Sequence, residues 1–403
     1  MKYLWIGVCL SDAQREFIIN GGGKILSASV SQDALLAGMD RNGICFDSIN
    51  GYRLPYYPAF PHKNIPEFRW SRNGSSSDVS VGYKNAKYLS HIYKTKSLIR
   101  AAREWATANK DEDVTVLIYS MHSPFMACAS KIKKIIPNAK INLIVPDLPQ
   151  FMDLHMSKIK KLLKALDWRK IRGYMKSVDK YILYSKHMAD FLGLEEGTWT
   201  VMEGSFDSSL VVEEIPEKSK EKLPIMYSGV LDTRYGIPEL LEAFSMLDDR
   251  FELWFTGTGN AVSLINEHAK KDSRIHNFGF LPSRRDLLLK QKEAAMLIST
   301  RRPDELASDY CFPSKLFEYM ISGNPVLSCR IGGIPDEYFN YLVEMKSTTP
   351  CDIKEAILSA AEMTEEERTT LGSNARAFIL NEKSNVAQAR KMLEYIRRGI
   401  ENV

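Results

Sequence analysis

The sequence predicts an α/β protein of two doubly wound, Rossmann-like domains facing across a cleft. Three observations carry that expectation. Short apolar runs alternate with amphipathic stretches along the whole chain. The 403 residues suffice for two domains of ordinary size. A charged, proline-bearing stretch at 211–224, VVEEIPEKSKEKLP, interrupts the alternation near the middle. The boundary is therefore expected between an N-terminal domain at 1–207 and a C-terminal domain at 208–384. The helix-like tail 385–403 is expected to pack back onto the first domain.

Eight runs have the near-continuous hydrophobicity of strands buried on both faces. In order they are YLWIGVCL, TVLIYS, INLIVP and KYILYS, then LPIMYSGV, FELWFTG, AAMLIST and NPVLSC. Between the later ones lie helical patterns such as ELLEAFSMLD, RDLLLKQKEA and KLFEYMIS. In open parallel sheets, ligands bind beyond the carboxyl ends of the strands, so functional residues should follow these runs closely.

Composition excludes several classes. With 44% hydrophobic and 26% charged residues, the chain is neither disordered nor collagen-like, and no run reaches the ~18 apolar residues of a membrane span. The apolar start reads as a first strand rather than a leader. The six cysteines lack paired spacing and read as reduced core thiols of a cytoplasmic protein. Charge is uneven: residues 1–207 hold 29 Lys and Arg against 20 Asp and Glu, and the remainder holds 25 against 30. A basic half joined to an acidic half suits an anionic partner of the first.

The segment richest in chemistry is 296–337. A strand end is followed by Arg301 and Arg302, then by Phe312-Pro313-Ser314-Lys315, which reads as a helix start with Ser314 as N-cap. Such a start beside a lysine suits a diphosphate, and Glu318, three residues on, could take the hydroxyls of a ribose. Capping and solvation explain the same residues equally well.

FPSKLFEYMISGNPVL, with GGIPDEY after it, closely resembles the donor-binding region of family 4 glycosyltransferases. YSGVLDTRYGIPELLEAF, LWFTGTGN, HNFGFLPSRRDLLLKQKEA, VPDLPQFM and YILYSKHMADFL with VMEGSFD agree in order and spacing. The likeness is greatest to enzymes of bacterial capsule, O-antigen and exopolysaccharide synthesis. It implies the GT-B fold, a retaining hexosyl transfer from a nucleoside-diphosphate sugar (UDP or GDP), and no required cofactor or metal. It further implies a lipid-linked saccharide acceptor at the cytoplasmic face of the plasma membrane.

Residue by residue, the resemblance makes Glu318 the ribose-holding second glutamate of E-x7-E, while Tyr310 stands at the first. Glu305 or Asp309 could substitute. The diphosphate pattern G-R-L-x-x-x-K-G reads Gly229-Val230-Leu231-Asp232-Thr233-Arg234-Tyr235-Gly236, so both basic positions are lost, and Arg234 with Lys315 is the expected compensation. Gly257 and Gly259 would line the cleft, and Gly279 and Phe280 would meet the base, although Phe280 also reads as a core residue. Glu203 and Gly204 would approach the donor near the domain junction. His122, after the strand TVLIYS, matches the family's active-site histidine. Gly22, Gly23 and Lys24 form a candidate phosphate loop, and Asp147 a candidate acceptor contact.

At 157–180 lysines and arginines interleave with leucines and Trp168. Lys160, Lys161, Lys164, Trp168, Arg169, Lys170 and Arg172 are the expected contacts with an anionic membrane surface, unless the leucines pack the helix onto the domain instead. No nucleic-acid-binding signature accompanies the charge, and no histidine or acidic spacing implies a metal. The competing readings are a sugar-nucleotide epimerase of the same fold, a weakened nucleotide-sugar-binding subunit, and a basic nucleic-acid binder.

Overall fold

The computed structural model describes residues 1–151, 158–217, 221–303 and 306–398. It divides into two units. One comprises residues 1–184, 188–202 and the segment from 385 onward; the other comprises 185–187 and 203–384.

The first unit is built on strands β1 (Lys2–Gly7), β2 (Asp47–Asn50), β3 (Asn64–Ile65), β4 (Phe68–Trp70), β5 (Asp78–Ser80), β6 (Tyr83–Lys84), β7 (Val114–Tyr119), β8 (Lys140–Val145), β9 (Lys180–Leu183) and β10 (Trp199–Val201). Eight of them form one sheet in the order β10-β9-β8-β7-β1-β2-β5-β4, parallel except for the β4–β5 pair, while β3 and β6 pair separately. β1 lies between β7 and β2, with Trp5 opposite both Leu117 and Ser48. This central place explains its unbroken apolar run: Leu4, Trp5 and Ile6 are fully buried.

The C-terminal helix Asn385–Arg397 belongs to this unit and packs on the helix Ser27–Arg41. Ala389, Met392, Leu393 and Ile396 join Leu35, Leu36 and Met39 in one core cluster. The contact is close: Asn385 donates its amide to the Ala34 carbonyl at 2.8 Å, and a Cβ on Gly38 would fall 2.2 Å from the Asn385 carbonyl oxygen. Lys180 ties the far end by donating to the Tyr395 carbonyl at 2.8 Å.

The second unit has six parallel strands, β11 (Leu223–Val230), β12 (Phe251–Thr258), β13 (Ile275–Asn277), β14 (Met296–Ser299), β15 (Val326–Cys329) and β16 (Val343–Met345). Their order is β13-β12-β11-β14-β15-β16. Counted within the unit this is 3-2-1-4-5-6, the dinucleotide-binding order, whose direction reverses between β11 and β14. The first and second strands run unusually close at their carboxyl ends. A Cβ on Gly257 would lie 1.8 Å from the Gly229 carbonyl oxygen, so the glycines of FTGTG are demanded by backbone approach before any ligand is considered.

All eight apolar runs are strands. The described strands without such runs, β2 to β6, β10, β13 and β16, are short, and β4, β10, β13 and β16 are sheet edges. Cys9, Cys128 and Cys329 are core thiols as expected, whereas Cys45 and Cys351 are exposed.

Candidate functional site

In the second unit a pocket of about 230 Å³ opens at the strand-order reversal. Tyr227, Ser228 and Val230 reach it from β11, Ser299 and Arg301 from the end of β14, and Cys311 to Lys315 with Tyr319 from the segment entering the helix Lys315–Ile321. The placement follows from topology: crossovers leave β11 and β14 in opposite directions, so nothing covers the gap between their ends. Tyr319 fixes one wall, its hydroxyl accepting from Ser228 N–H and donating to the Ser228 carbonyl, both at 2.8 Å.

Glu318 is buried on the short helix and holds two cations. It accepts from Arg284 at 2.7 Å and from Lys315 at 3.0 Å. Arg284 opens the helix Arg284–Glu293, whose start is set by Ser283 accepting the Asp286 N–H. Reading the sequence for motifs missed Arg284, because the PSRRD turn shows two adjacent arginines and no spacing to choose between them. The helix Lys315–Ile321 has only seven residues, and Ser314 makes no side-chain cap, so the expected capping geometry is absent. Ser314 lines the pocket instead.

The cation arrangement also departs from expectation. Arg234 lies outside the pocket lining; its guanidinium is held by Asp232, with bonds of 2.9 and 2.7 Å to the two carboxylate oxygens. That pairing pulls the Asp232 carboxyl down to about 2. Arg301 lines the pocket, 5.6 Å over the Tyr235 ring. Its Nε is buried with no hydrogen-bond partner among the described residues. Val230 and Tyr235, at the two basic positions of the family pattern, are themselves in the lining, so Arg301 brings positive charge to the wall they occupy.

Other expected residues sort as follows. Gly229, next to last in β11, has φ 136° and lies against the Lys315 side chain, and Gly259 approaches the Leu231 carbonyl as Gly257 approaches Gly229. Gly279 accepts through its carbonyl from Gly257 N–H and the Thr256 hydroxyl, and Phe280 is exposed, which removes its core reading. Glu203 is buried and committed to the interior: it accepts from Tyr338 and pairs with Lys383 at 2.5 Å, while Gly204 follows at φ 112°. Asp309 lies against Gly332 and His187 outside the pocket lining, Tyr310 is half-buried, and Glu305 falls outside the described residues.

In the first unit, the Gly22–Gly23–Lys24 loop is not an open phosphate cradle. Gly22 N–H bonds the Ile19 carbonyl at 2.9 Å and Gly23 N–H the Ile18 carbonyl at 2.8 Å, closing the end of the helix Asp12–Asn20. A helix C-terminus repels anions. Lys24 and Asp147 are exposed, the latter after β8. His122 follows β7 at the start of the helix Ser123–Ile135, half-buried, with ring contacts to Phe125 at 4.9 Å and His91 at 6.0 Å. Burial, reinforced by nearby Lys94, lowers its pKa to about 3, so the imidazole is neutral at ordinary pH.

The helix Lys158–Met175 carries the membrane residues. Leu162, Leu163 and Leu166 are 63%, 60% and 51% exposed, so the leucines do not pack this helix onto the domain. Lys161, Arg169, Lys170 and Arg172 are exposed around them, Ile171 faces inward, and Trp168 lies half-buried, 6.3 Å from the Phe191 ring. Lys164 donates to the Gln150 carbonyl at 3.3 Å, and Lys160 lies outside the described side chains. No helix among the described residues is long and apolar enough to cross a membrane.

Comparison with known proteins agrees with this architecture. Residues 211–378 match the family described as glycosyl transferases group 1. No curated protein matches the chain. Among solved structures, Anabaena Alr3699/HepE in complex with UDP is 14% identical with a TM-score of 0.65, over 98% of this chain and 99% of its own. A glycosyltransferase from Rickettsia africae is 14% identical with a TM-score of 0.65 over 100% of both chains. The lipopolysaccharide outer core galactosyltransferase WaaB is 13% identical with a TM-score of 0.63, over 98% of this chain and 99% of its own. The fold is GT-B, and with a glycosyl transferases group 1 domain in its second unit the protein is a glycosyltransferase.

The histidine gives a pH prediction. The unfolded chain takes up a proton at His122 near pH 6.5 and the folded one only near 3, so its contribution to stability is complete above 6.5 and declines as pH falls through that window. Urea unfolding at pH 7 and pH 5 should show His122→Gln losing about 1–2 kcal/mol less than wild type between the two. Equal losses would contradict the assigned burial.

Proposed function

We propose that the protein transfers a hexosyl group, with retention, from a nucleoside-diphosphate sugar to a lipid-linked saccharide during bacterial surface polysaccharide synthesis. It would work as a peripheral protein at the cytoplasmic face of the plasma membrane. The observation that carries the donor half is the pocket between β11 and β14, where Lys315 and Arg301 line the wall and the buried Nε of Arg301 has no hydrogen-bond partner among the described residues. A diphosphate supplies the missing acceptor atoms. Glu318, beside Lys315, is the group for the ribose hydroxyls and would exchange part of its pairing with Arg284 and Lys315 for them. UDP is favoured over GDP because the similar Alr3699/HepE is seen with UDP and with UDP and glucose. The surface-polysaccharide setting is favoured by the similarity to WaaB.

In the proposed reaction the bond between the anomeric carbon and the diphosphate oxygen breaks, and an acceptor hydroxyl oxygen bonds the same face of the sugar. Its proton passes to the departing diphosphate. Among the described residues that line the pocket none is a carboxylate, which suits this front-face route. Arg301 and Lys315 stabilise the charge that develops on the leaving group, and Arg234 is relieved of that role by Asp232. The exposed leucines and cations of Lys158–Met175 suit an anionic bilayer, where the acceptor resides.

Three outcomes follow. In a thermal-shift panel of UDP, GDP, ADP and CMP, UDP should stabilise wild type and fail on Glu318→Ala, and in transfer assays Arg301→Ala should lower kcat about 10²-fold or more with a smaller change in KM. A UDP response without transfer to any acceptor would favour the weakened binding subunit that Tyr310 suggests, and unchanged kcat in Arg301→Ala would remove its role. In sedimentation with phosphatidylglycerol vesicles, wild type should bind and the Leu162→Glu, Leu163→Glu, Leu166→Glu triple variant should bind at least tenfold more weakly. Equal binding of both to vesicles would refute the membrane face.

A further inference from the structure

The first unit contains a group of positive charges that the donor pocket does not use. Lys94 is only 6% exposed, yet its ammonium has no hydrogen bond or ion pair among the described residues. Its nearest aromatic is the Tyr83 ring, at 5.8 Å. An ammonium on so buried a side chain, without a partner among the described residues, is costly, and burial lowers the Lys94 pKa to about 8. Proteins keep such a group where something outside the chain completes it.

Its surroundings are basic residues, the two imidazoles neutral at ordinary pH and Arg53 charged. Lys94 and His91 sit at the start of the long helix Ser90–Ala108, and His122 precedes the helix Ser123–Ile135. The His91 and His122 rings meet edge to face at 6.0 Å, so the two helix N-termini adjoin at the carboxyl end of β7. Neither start has a side-chain cap, and neither first turn holds an acidic residue. Helix N-termini ordinarily recruit carboxylates; these two carry a lysine and two histidines instead. Arg53, just past β2, is close enough for its charge to depress the basicity of Lys94, His91 and His122. Among the described residues a carboxylate is near, Asp167, which accepts the Ser123 hydroxyl at 2.6 Å and acts on His91 against Lys170. With both imidazoles neutral at ordinary pH, Lys94, Arg53 and Lys170 against Asp167 leave a net positive charge.

We propose that Lys94, Arg53, His91 and His122 bind a phosphoryl group carried by the acceptor. The proposal rests on the glycosyltransferase reading and adds the acceptor's chemistry: its phosphate oxygens would take the Lys94 ammonium and Arg53 guanidinium, with the two imidazoles as further hydrogen-bond donors. The phosphoryl group comes either from a soluble sugar phosphate or from a lipid-borne phosphate.

The test uses the full chain with UDP saturating, so that phosphate reads only what UDP does not occupy. Calorimetry with inorganic phosphate at constant ionic strength should show binding to wild type, at least tenfold weaker binding to Lys94→Met, and several-fold weaker binding to Arg53→Ala. UDP affinity, measured separately, should be unchanged in both. Lys94→Met exchanges an unpaired buried charge for an apolar chain of similar length, and the exposed Arg53 provides a second variant whose folding is not at stake. Glucose 6-phosphate and dodecyl phosphate, compared on wild type, identify the source as soluble or lipid-borne by which binds tighter. Phosphate affinity equal in all three proteins, or a parallel loss of UDP affinity in the variants, would overturn the proposal. If UDP does not bind wild type at all, the donor reading fails, while the dependence of phosphate binding on Lys94 is still read.

Discussion

The order of the parallel strands in the second unit is the constraint on which the candidate site depends. Because β11 sits between β12 and β14 and the crossovers leave in opposite directions, the carboxyl ends of β11 and β14 frame an uncovered gap. The pocket residues reach the gap from strand ends, from Tyr235 in the turn Thr233–Tyr235 after β11, and from the segment entering and forming the helix Lys315–Ile321. The same close packing sets the glycines: at 257 and 259 the neighbouring backbone leaves no space for a Cβ. Those residues tell more about how tightly β11 and β12 approach than about a ligand.

Charge is conserved in kind at the pocket while its bearer moves. Where the family pattern has two basic residues this chain has Val230 and Tyr235, and the arginine one position early is captured by Asp232. Arg301 arrives from the neighbouring strand and lies over Tyr235. A guanidinium over an aromatic face keeps its edge free for an anion while the ring supports its plane. The wall remains cationic although the linear motif is lost.

How much was legible in the sequence depended on whether one side chain or a pair of distant ones made the feature. Strands such as Leu223–Val230 were readable because burial on both faces forces an unbroken apolar run, and Lys315 and Glu318 because three residues set them on one helix face. Short strands such as Asp47–Asn50 were not, since a four-residue polar pattern carries no period. Arg284 reaches Glu318 across 34 positions of sequence, and the Lys94 charge acts on His122 across two separate helix starts, so spacing could reveal neither. The glycine loop at 22–23 misled because a helix end and a phosphate loop share composition; only the destination of the N–H groups separates them. Glu203 misled in the same way, its carboxylate being spent on Lys383.

The central claim is that the gap between β11 and β14 receives a nucleoside diphosphate through Glu318, Lys315 and Arg301. The direct measurement is a crystal structure of the protein with UDP. The account predicts ribose hydroxyls on the Glu318 carboxylate and diphosphate oxygens on Lys315 and on the Arg301 Nε. UDP bound with Arg301 and Glu318 untouched, or with its diphosphate on Arg234 instead, would contradict it.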